Sequence, residues 1–123
     1  TIVDKETLFK EADIVTIHIA LNDETRDFVT AKELVLMKQS SIIINAARGP
    51  IVNAQDLLDA LKEGRISGAA LDVYDVEPPL DSNNPMLDAP NTILLPHIGF
   101  ATKEAFELRL GIVVNNVEQF CKQ

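Results

Sequence analysis

Residues 41–49 read SIIINAARG. Three successive isoleucines between Ser41 and Asn45 form a short, β-branched, non-alternating apolar run, which suits a strand buried on both faces. The polar residues directly behind it mark a strand end. The same pattern recurs on either side, as IVTIHI (14–19), SGAALDV (67–73) and NTILLPH (91–97). Helical signals lie between and around these runs. Asp4 opens a short helix through about Ala12. Thr30 with Glu33 forms a capping box for a helix through about Met37. Asn53 caps AQDLLDALKEG, whose Leu57, Leu58 and Leu61 share one face and whose Gly64 stands at the C-cap. Thr102 caps a last helix to about Phe120. LNDETRDF (21–28) and EPPLDSNNP (77–85) read as loops. Strands alternating with helices pair in parallel through right-handed crossovers. Strands this apolar predict helices on both sheet faces. The fold expected is therefore α/β, an open doubly wound parallel sheet, with ligands just past the carboxyl ends of its strands.

Composition narrows the function classes. The chain has 123 residues, 46% hydrophobic and 24% charged, a globular balance within one domain. Nineteen acidic against 11 basic residues give a net charge of −8. Neither nucleic acid nor an anionic membrane surface suits that charge. No apolar run reaches the length of a membrane span, and TIVDKETLFK lacks the basic start and apolar run of a signal peptide. One cysteine, Cys121, precludes an internal disulfide and fits a reducing, cytoplasmic setting.

The strand ends carry the chemistry. Ala20-Leu21-Asn22 follow the first run, and Ala46-Ala47-Arg48-Gly49 the second. Asp72 and then Glu77 follow the third, and His97-Ile98-Gly99 the fourth. Each residue alone has a plainer reading. Arg48 could be a solvated surface arginine, Asp72 a turn cap, Glu77 loop polarity, and His97 a satisfied structural histidine. His18, inside a strand, reads as structural or supporting. Convergence of Arg48, Asp72, Glu77 and His97 on one sheet edge is what separate plain explanations do not predict. Together they form a specific set. A carboxylate beside a histidine stabilises the imidazolium, raises the histidine pKa and keeps a proton ready for a carbonyl oxygen. Arginine grips a carboxylate through two parallel hydrogen bonds. Such a set suits reduction of a 2-keto acid or oxidation of a 2-hydroxy acid, with hydride supplied by a cofactor. Asp72 is left to accept a hydrogen bond from a carboxamide such as that of nicotinamide. No metal-ligand spacing stands out.

Four ordered motifs, ADIVTIHIALNDETRDFV, IIINAARGPIVN, GAALDVYDVEPP and NTILLPHIGFATKEA, give a resemblance over essentially the whole chain. It resembles the C-terminal part of the NAD-binding domain of the D-isomer-specific 2-hydroxyacid dehydrogenases, the D-3-phosphoglycerate dehydrogenase-like enzymes. The resemblance implies that Arg48 binds the substrate carboxylate and keto group, that His97 is the acid/base and that Glu77 is its partner. It implies that Ile19, Ala20, Ala46, Ala47, Asp72, Ile98 and Gly99 lie along the nicotinamide half of NAD, with NADP not distinguished. A small 2-hydroxy or 2-keto acid as substrate and a homodimer are implied too. Three positions depart from the family's habit: Ala20 where proline is common, Asn53 where an acidic residue is usual, and Phe100 where a small residue is frequent. Phe100 bears on substrate size.

No Gly-x-Gly-x-x-Gly occurs in these residues. Residues 1–123 are therefore expected to be a partial NAD-binding domain, without the glycine-loop half and the substrate domain, and inactive alone. The run 14–19 should then have an unpaired edge and an uncovered apolar face, a site for dimerisation. The competing readings are an NAD(H)-responsive binding module like the carboxy-terminal-binding corepressors, and an inert truncated remnant. Phe106, Leu110, Val113 and Val114, near one face of the last helix, read as packing residues.

Overall fold

A computed structural model of the chain describes residues 1–77 and 80–122. Pro78 and Pro79, inside the expected loop 77–85, lie outside the described residues. Four short strands, β1 (Ile14–Ile17), β2 (Ile42–Asn45), β3 (Gly68–Leu71) and β4 (Thr92–Leu94), form one sheet in the order β1-β2-β3-β4. All three pairings are parallel, with Ile14 opposite Ile42 and Ile42 opposite Gly68. Four helices accompany them: α1 (Lys5–Glu11), α2 (Ala31–Leu34), α3 (Ala54–Lys62) and α4 (Lys103–Cys121).

The caps act where the sequence puts them. Asp4 accepts the Thr7 N–H at 2.7 Å. Thr30 and Glu33 complete the capping box, and Asn53 accepts from the Asp56 N–H. Gly64 follows α3 at φ +65°, the left-handed conformation that ends helices at low steric cost. Leu57, Leu58 and Leu61 are buried, each stabilising the fold by roughly 1.5–3 kcal/mol.

Alternate strand residues divide the sheet into two unlike faces. Val15, Ile17, Ile43, Ala69 and Leu71 are buried, in one core with Phe9 of α1, Leu34 of α2 and the leucines of α3. On the other face Ile14 and Ile93 are 58% and 65% exposed, and Ile42 and Ile44 are only partly covered. The expectation of helices on both faces is thus corrected for these residues. The reason is topological. Strands added in one direction by right-handed crossovers carry their connecting helices on one face; a second layer needs a reversal of strand order, and none occurs from β1 to β4. Among the described residues β1 pairs with β2 alone. Its free edge and exposed face match the expectation for the run 14–19.

Two further expectations change. α4 buries none of its side chains, so Phe106, Leu110, Val113 and Val114 pack no core here. β1 ends at Ile17, which puts His18 beyond the strand; it is exposed, with Nε2 2.9 Å from the Thr16 hydroxyl.

Candidate active site

The carboxyl ends of β2, β3 and β4 are fastened to one another. The Asp72 N–H donates to the Asn45 carbonyl at 2.9 Å, and the Leu95 N–H to the Leu71 carbonyl at 2.8 Å. The loops that follow are therefore neighbours.

The β2 loop is built on Asn45, a buried amide. Its Oδ1 accepts the Ala47 N–H at 3.1 Å and its Nδ2 donates to the Arg48 carbonyl at 2.9 Å. The backbone is thereby turned outward, and the Arg48 side chain is exposed, with Nη1 donating to the Ala47 carbonyl. Gly49 then passes so close to the β3 loop that a Cβ would stand 2.1 Å from the Tyr74 carbonyl carbon and oxygen. This close approach puts the Arg48 loop directly against the segment that leads to Glu77.

Glu77 and His97 meet. Glu77 Oε2 lies 2.5 Å from His97 Nδ1, and Oε1 accepts the Tyr74 N–H. With Nδ1 engaged, Nε2 is the ring nitrogen without a protein partner among the described residues. His97 has φ +56°, a left-handed conformation that costs a non-glycine residue roughly 1–2 kcal/mol. The next two amides explain how it is held: Ile98 N–H donates to Asp72 Oδ1 at 2.8 Å and Gly99 N–H to Oδ2 at 2.7 Å. Asp72 is buried. Each oxygen thus already accepts one amide of the His97 turn and keeps a further lone pair.

The rim is partly aromatic. Phe100 sets its ring at 77° to that of His97, with centroids 6.4 Å apart, and the Arg109 guanidinium lies 4.7 Å from the Phe100 centroid. Burial, together with the Asp72 and Glu77 carboxylates, pushes the Tyr74 phenol above its ordinary pKa; its hydroxyl donates to the Leu95 carbonyl. Beside the Glu77–His97 pair opens a cavity of about 520 Å³ with largely apolar walls, among them Leu87, Leu95 and Phe100.

The structure therefore brings together Glu77, His97, Asp72, Ile98 and Gly99 by direct contact, and sets the Arg48 loop, with Ala46 and Ala47, on the adjacent strand end. Arg48 forms no ion pair with Glu77 among the described residues. Ile19 and Ala20 are exposed beyond β1, where the Ala20 carbonyl accepts from the Thr25 hydroxyl. Asn45 and Tyr74 are the site residues that sequence reasoning left unassigned. A lone amide ending an apolar strand was the available signal for Asn45. Among the described residues no group of three or more metal-ligating side chains occurs, and no helix is long and apolar enough to cross a membrane.

Comparison with known proteins gives the family. The family described as D-isomer specific 2-hydroxyacid dehydrogenase, NAD binding domain, matches residues 1–99. A glycerate dehydrogenase from Methylorubrum extorquens is 43% identical over 120 residues, covering 97% of this chain and 38% of the relative. A solved D-lactate dehydrogenase from Sporolactobacillus superposes with a TM-score of 0.90 at 36% identity, covering 100% of this chain and 41% of that one. An acyclic imino acid reductase solved with NADPH and D-Arg gives a TM-score of 0.84 at 34% identity, covering 98% and 38%. The chain thus spans about two-fifths of the length of these relatives. Its fold is that of part of their Rossmann-type domain, and its structural neighbours include this NADPH complex and an NAD complex of a Lactobacillus delbrueckii D-isomer specific 2-hydroxyacid dehydrogenase. The chain belongs to the D-isomer-specific 2-hydroxyacid dehydrogenases and corresponds to part of their NAD-binding domain.

Proposed function

We propose that this chain supplies the acid/base pair, the carboxylate-binding arginine and the nicotinamide-side ledge of an oxidoreductase that interconverts a D-2-hydroxy acid and its 2-keto acid. The observation that carries the reading is the 2.5 Å contact of Glu77 Oε2 with His97 Nδ1 at the carboxyl edge of the sheet, beside the Arg48 loop. Glu77 takes the Nδ1 proton in its hydrogen bond and so fixes the ring with Nε2 outward. For reduction, protonated Nε2 delivers its proton to the keto oxygen while Glu77 compensates the imidazolium charge. For oxidation, neutral Nε2 takes the proton from the hydroxyl. The Arg48 guanidinium, exposed and without a carboxylate partner among the described residues, grips the substrate carboxylate bidentately and orients the neighbouring carbonyl.

The residues present fit a nicotinamide cofactor. Ala20 and Ala46 are small and exposed, Ala47 is partly so, and all three follow the carboxyl ends of β1 and β2, on the edge that carries His97. With Ile19, Ile98 and Gly99 they form the ledge that would hold the nicotinamide half of the cofactor. A bound nicotinamide dinucleotide supplies or accepts the hydride. Asp72 borders that ledge through the Ile98–Gly99 backbone, and its lone pairs beyond the two internal bonds remain acceptors.

The domain reading follows from the same features. The free edge of β1 takes the strand that carries the glycine loop, and the partial domain alone turns over no substrate, because a pyrophosphate cradle is lacking in these 123 residues. The working form we propose is a cytoplasmic homodimer, in keeping with the exposed, unpaired Cys121.

The test is a chimera in which residues 1–123 replace the matching segment of the M. extorquens glycerate dehydrogenase. It should reduce 2-keto acids with NADH or NADPH, and His97→Ala in the chimera should abolish turnover. A soluble, folded chimera whose activity survives His97→Ala would refute the assignment.

A further inference from the structure

Asp72 is a buried carboxylate with no side-chain hydrogen bond to His97 or Glu77 among the described residues, yet each of its oxygens accepts the amide of one of the two residues after His97. Its own backbone is fixed, since its N–H continues the sheet ladder onto the Asn45 carbonyl. The carboxylate is thus a rigid post at the end of β3. The two amides anchored on it directly follow His97, which stands in the left-handed conformation at φ +56°, so the bonds pin the chain where that turn leaves off. The turn directs the imidazole toward Glu77 and away from the strand axis. Gly99 belongs to the same device: a Cβ there would stand 2.8 Å from Asp72 Oδ2, so a side chain would push the clamp open.

We infer that Asp72 is a positioning residue that acts through the Ile98 and Gly99 amides to hold His97 in its left-handed turn and so aim Nδ1 at Glu77. The inference rests on the acid/base reading of the Glu77–His97 pair and adds a third residue to it. An asparagine at 72 keeps one acceptor and sets an N–H₂ group against an N–H donor. Charge and geometry are then both lost, although the volume is unchanged.

The test uses the 123-residue chain and nuclear magnetic resonance. In the unmodified chain the Ile98 and Gly99 amides should exchange about tenfold or more slowly relative to the Phe100 amide, which has no acceptor among the described residues. A protected His97 Nδ1–H signal should report the bond to Glu77. In Asp72→Asn that signal should vanish, while the methyl signals of core residues such as Ile43 and Leu57 stay in place. Gly99→Ala, which leaves the carboxylate intact, should weaken it in the same way. A protected Nδ1–H that survives Asp72→Asn, or Ile98 and Gly99 amides exchanging as fast as that of Phe100, would overturn the inference. An unmodified chain that shows slow Ile98 and Gly99 amides but no protected Nδ1–H would instead refute the Glu77–His97 pairing, and with it the function reading itself.

Discussion

Gly49 and Tyr74 share a space that has no room for one more carbon: a Cβ on Gly49 would lie 2.1 Å from the Tyr74 carbonyl. This contact joins the arginine loop of β2 to the carboxylate loop of β3. Gly49 is needed for its missing side chain, and no positive φ is involved. Gly49→Ala must displace one loop from the other. We expect a loss of roughly 1–3 kcal/mol in urea unfolding, and in the glycerate dehydrogenase chimera a rise in substrate KM as Arg48 is carried away from the Glu77–His97 pair.

Asn45 gives a separate handle on Arg48. Its amide accepts the Ala47 N–H and donates to the Arg48 carbonyl, which also accepts the Ile51 N–H. Asn45→Leu fills the space but leaves the Ala47 N–H without its partner, at a cost of about 1–3 kcal/mol, and removes one of the two donors to the Arg48 carbonyl. Thermal unfolding should show the destabilisation. In the chimera the substrate KM should rise more than kcat falls, because the acid/base pair itself is untouched.

Away from the site, Glu33 sets a pH window. Partial burial alone would raise its carboxyl, but the Lys5 ammonium and the Thr30 backbone and hydroxyl donors outweigh burial and hold it at about 2, below the ordinary 4.5. A group whose folded pKa is depressed adds stability above its unfolded pKa, and loses it as pH falls through the folded one. The stability difference between the unmodified chain and Glu33→Gln should therefore be full near neutral pH, shrink below about pH 4.5 and be gone near pH 2. Urea midpoints measured across that range check it; a difference that grows on acidification would contradict it.

Gly64 contrasts with Gly49. It sits at φ +65° with open space where a Cβ would go. Gly64→Ala should cost roughly 1 kcal/mol through the left-handed conformation alone, and Gly64→Asn appreciably less. Melting curves of the two variants separate strain from packing.

Much of this was legible in the residues, for identifiable reasons. Asp4, Thr30, Asn53 and Thr102 cap helices through local hydrogen bonds, which a short window of sequence contains. The runs around Ile42–Asn45 and Gly68–Leu71 announced strands through apolar, β-branched or small residues. The lengths of the strands, and the ends of α1 and α2, were overestimated, because apolar residues continue past the last paired one; Ile19 and Met37 are examples. The open face around Ile14, Ile44 and Ile93 had a cause in the expected absence of a neighbouring strand. That the connecting helices α2 and α3 lie together on the other face follows from strand order, which no single segment encodes. The meeting of Glu77 with His97 was anticipated from their places at strand ends. The engagement of Asp72 was not, since it accompanies the left-handed turn at His97, and histidine adopts that conformation too rarely for its residue type alone to mark the position.

The acid/base pair is the claim on which the functional account stands, and Glu77→Gln in the chimera addresses it most directly. Glutamine keeps the shape and can still accept a hydrogen bond, but it cannot balance an imidazolium. The account predicts that kcat/KM for 2-keto acid reduction falls by about 10²–10⁴-fold, the usual contribution of a positioned general acid, with the fold retained. A kcat/KM within about twofold of the unmodified chimera, a difference of only ~0.4 kcal/mol, would contradict it.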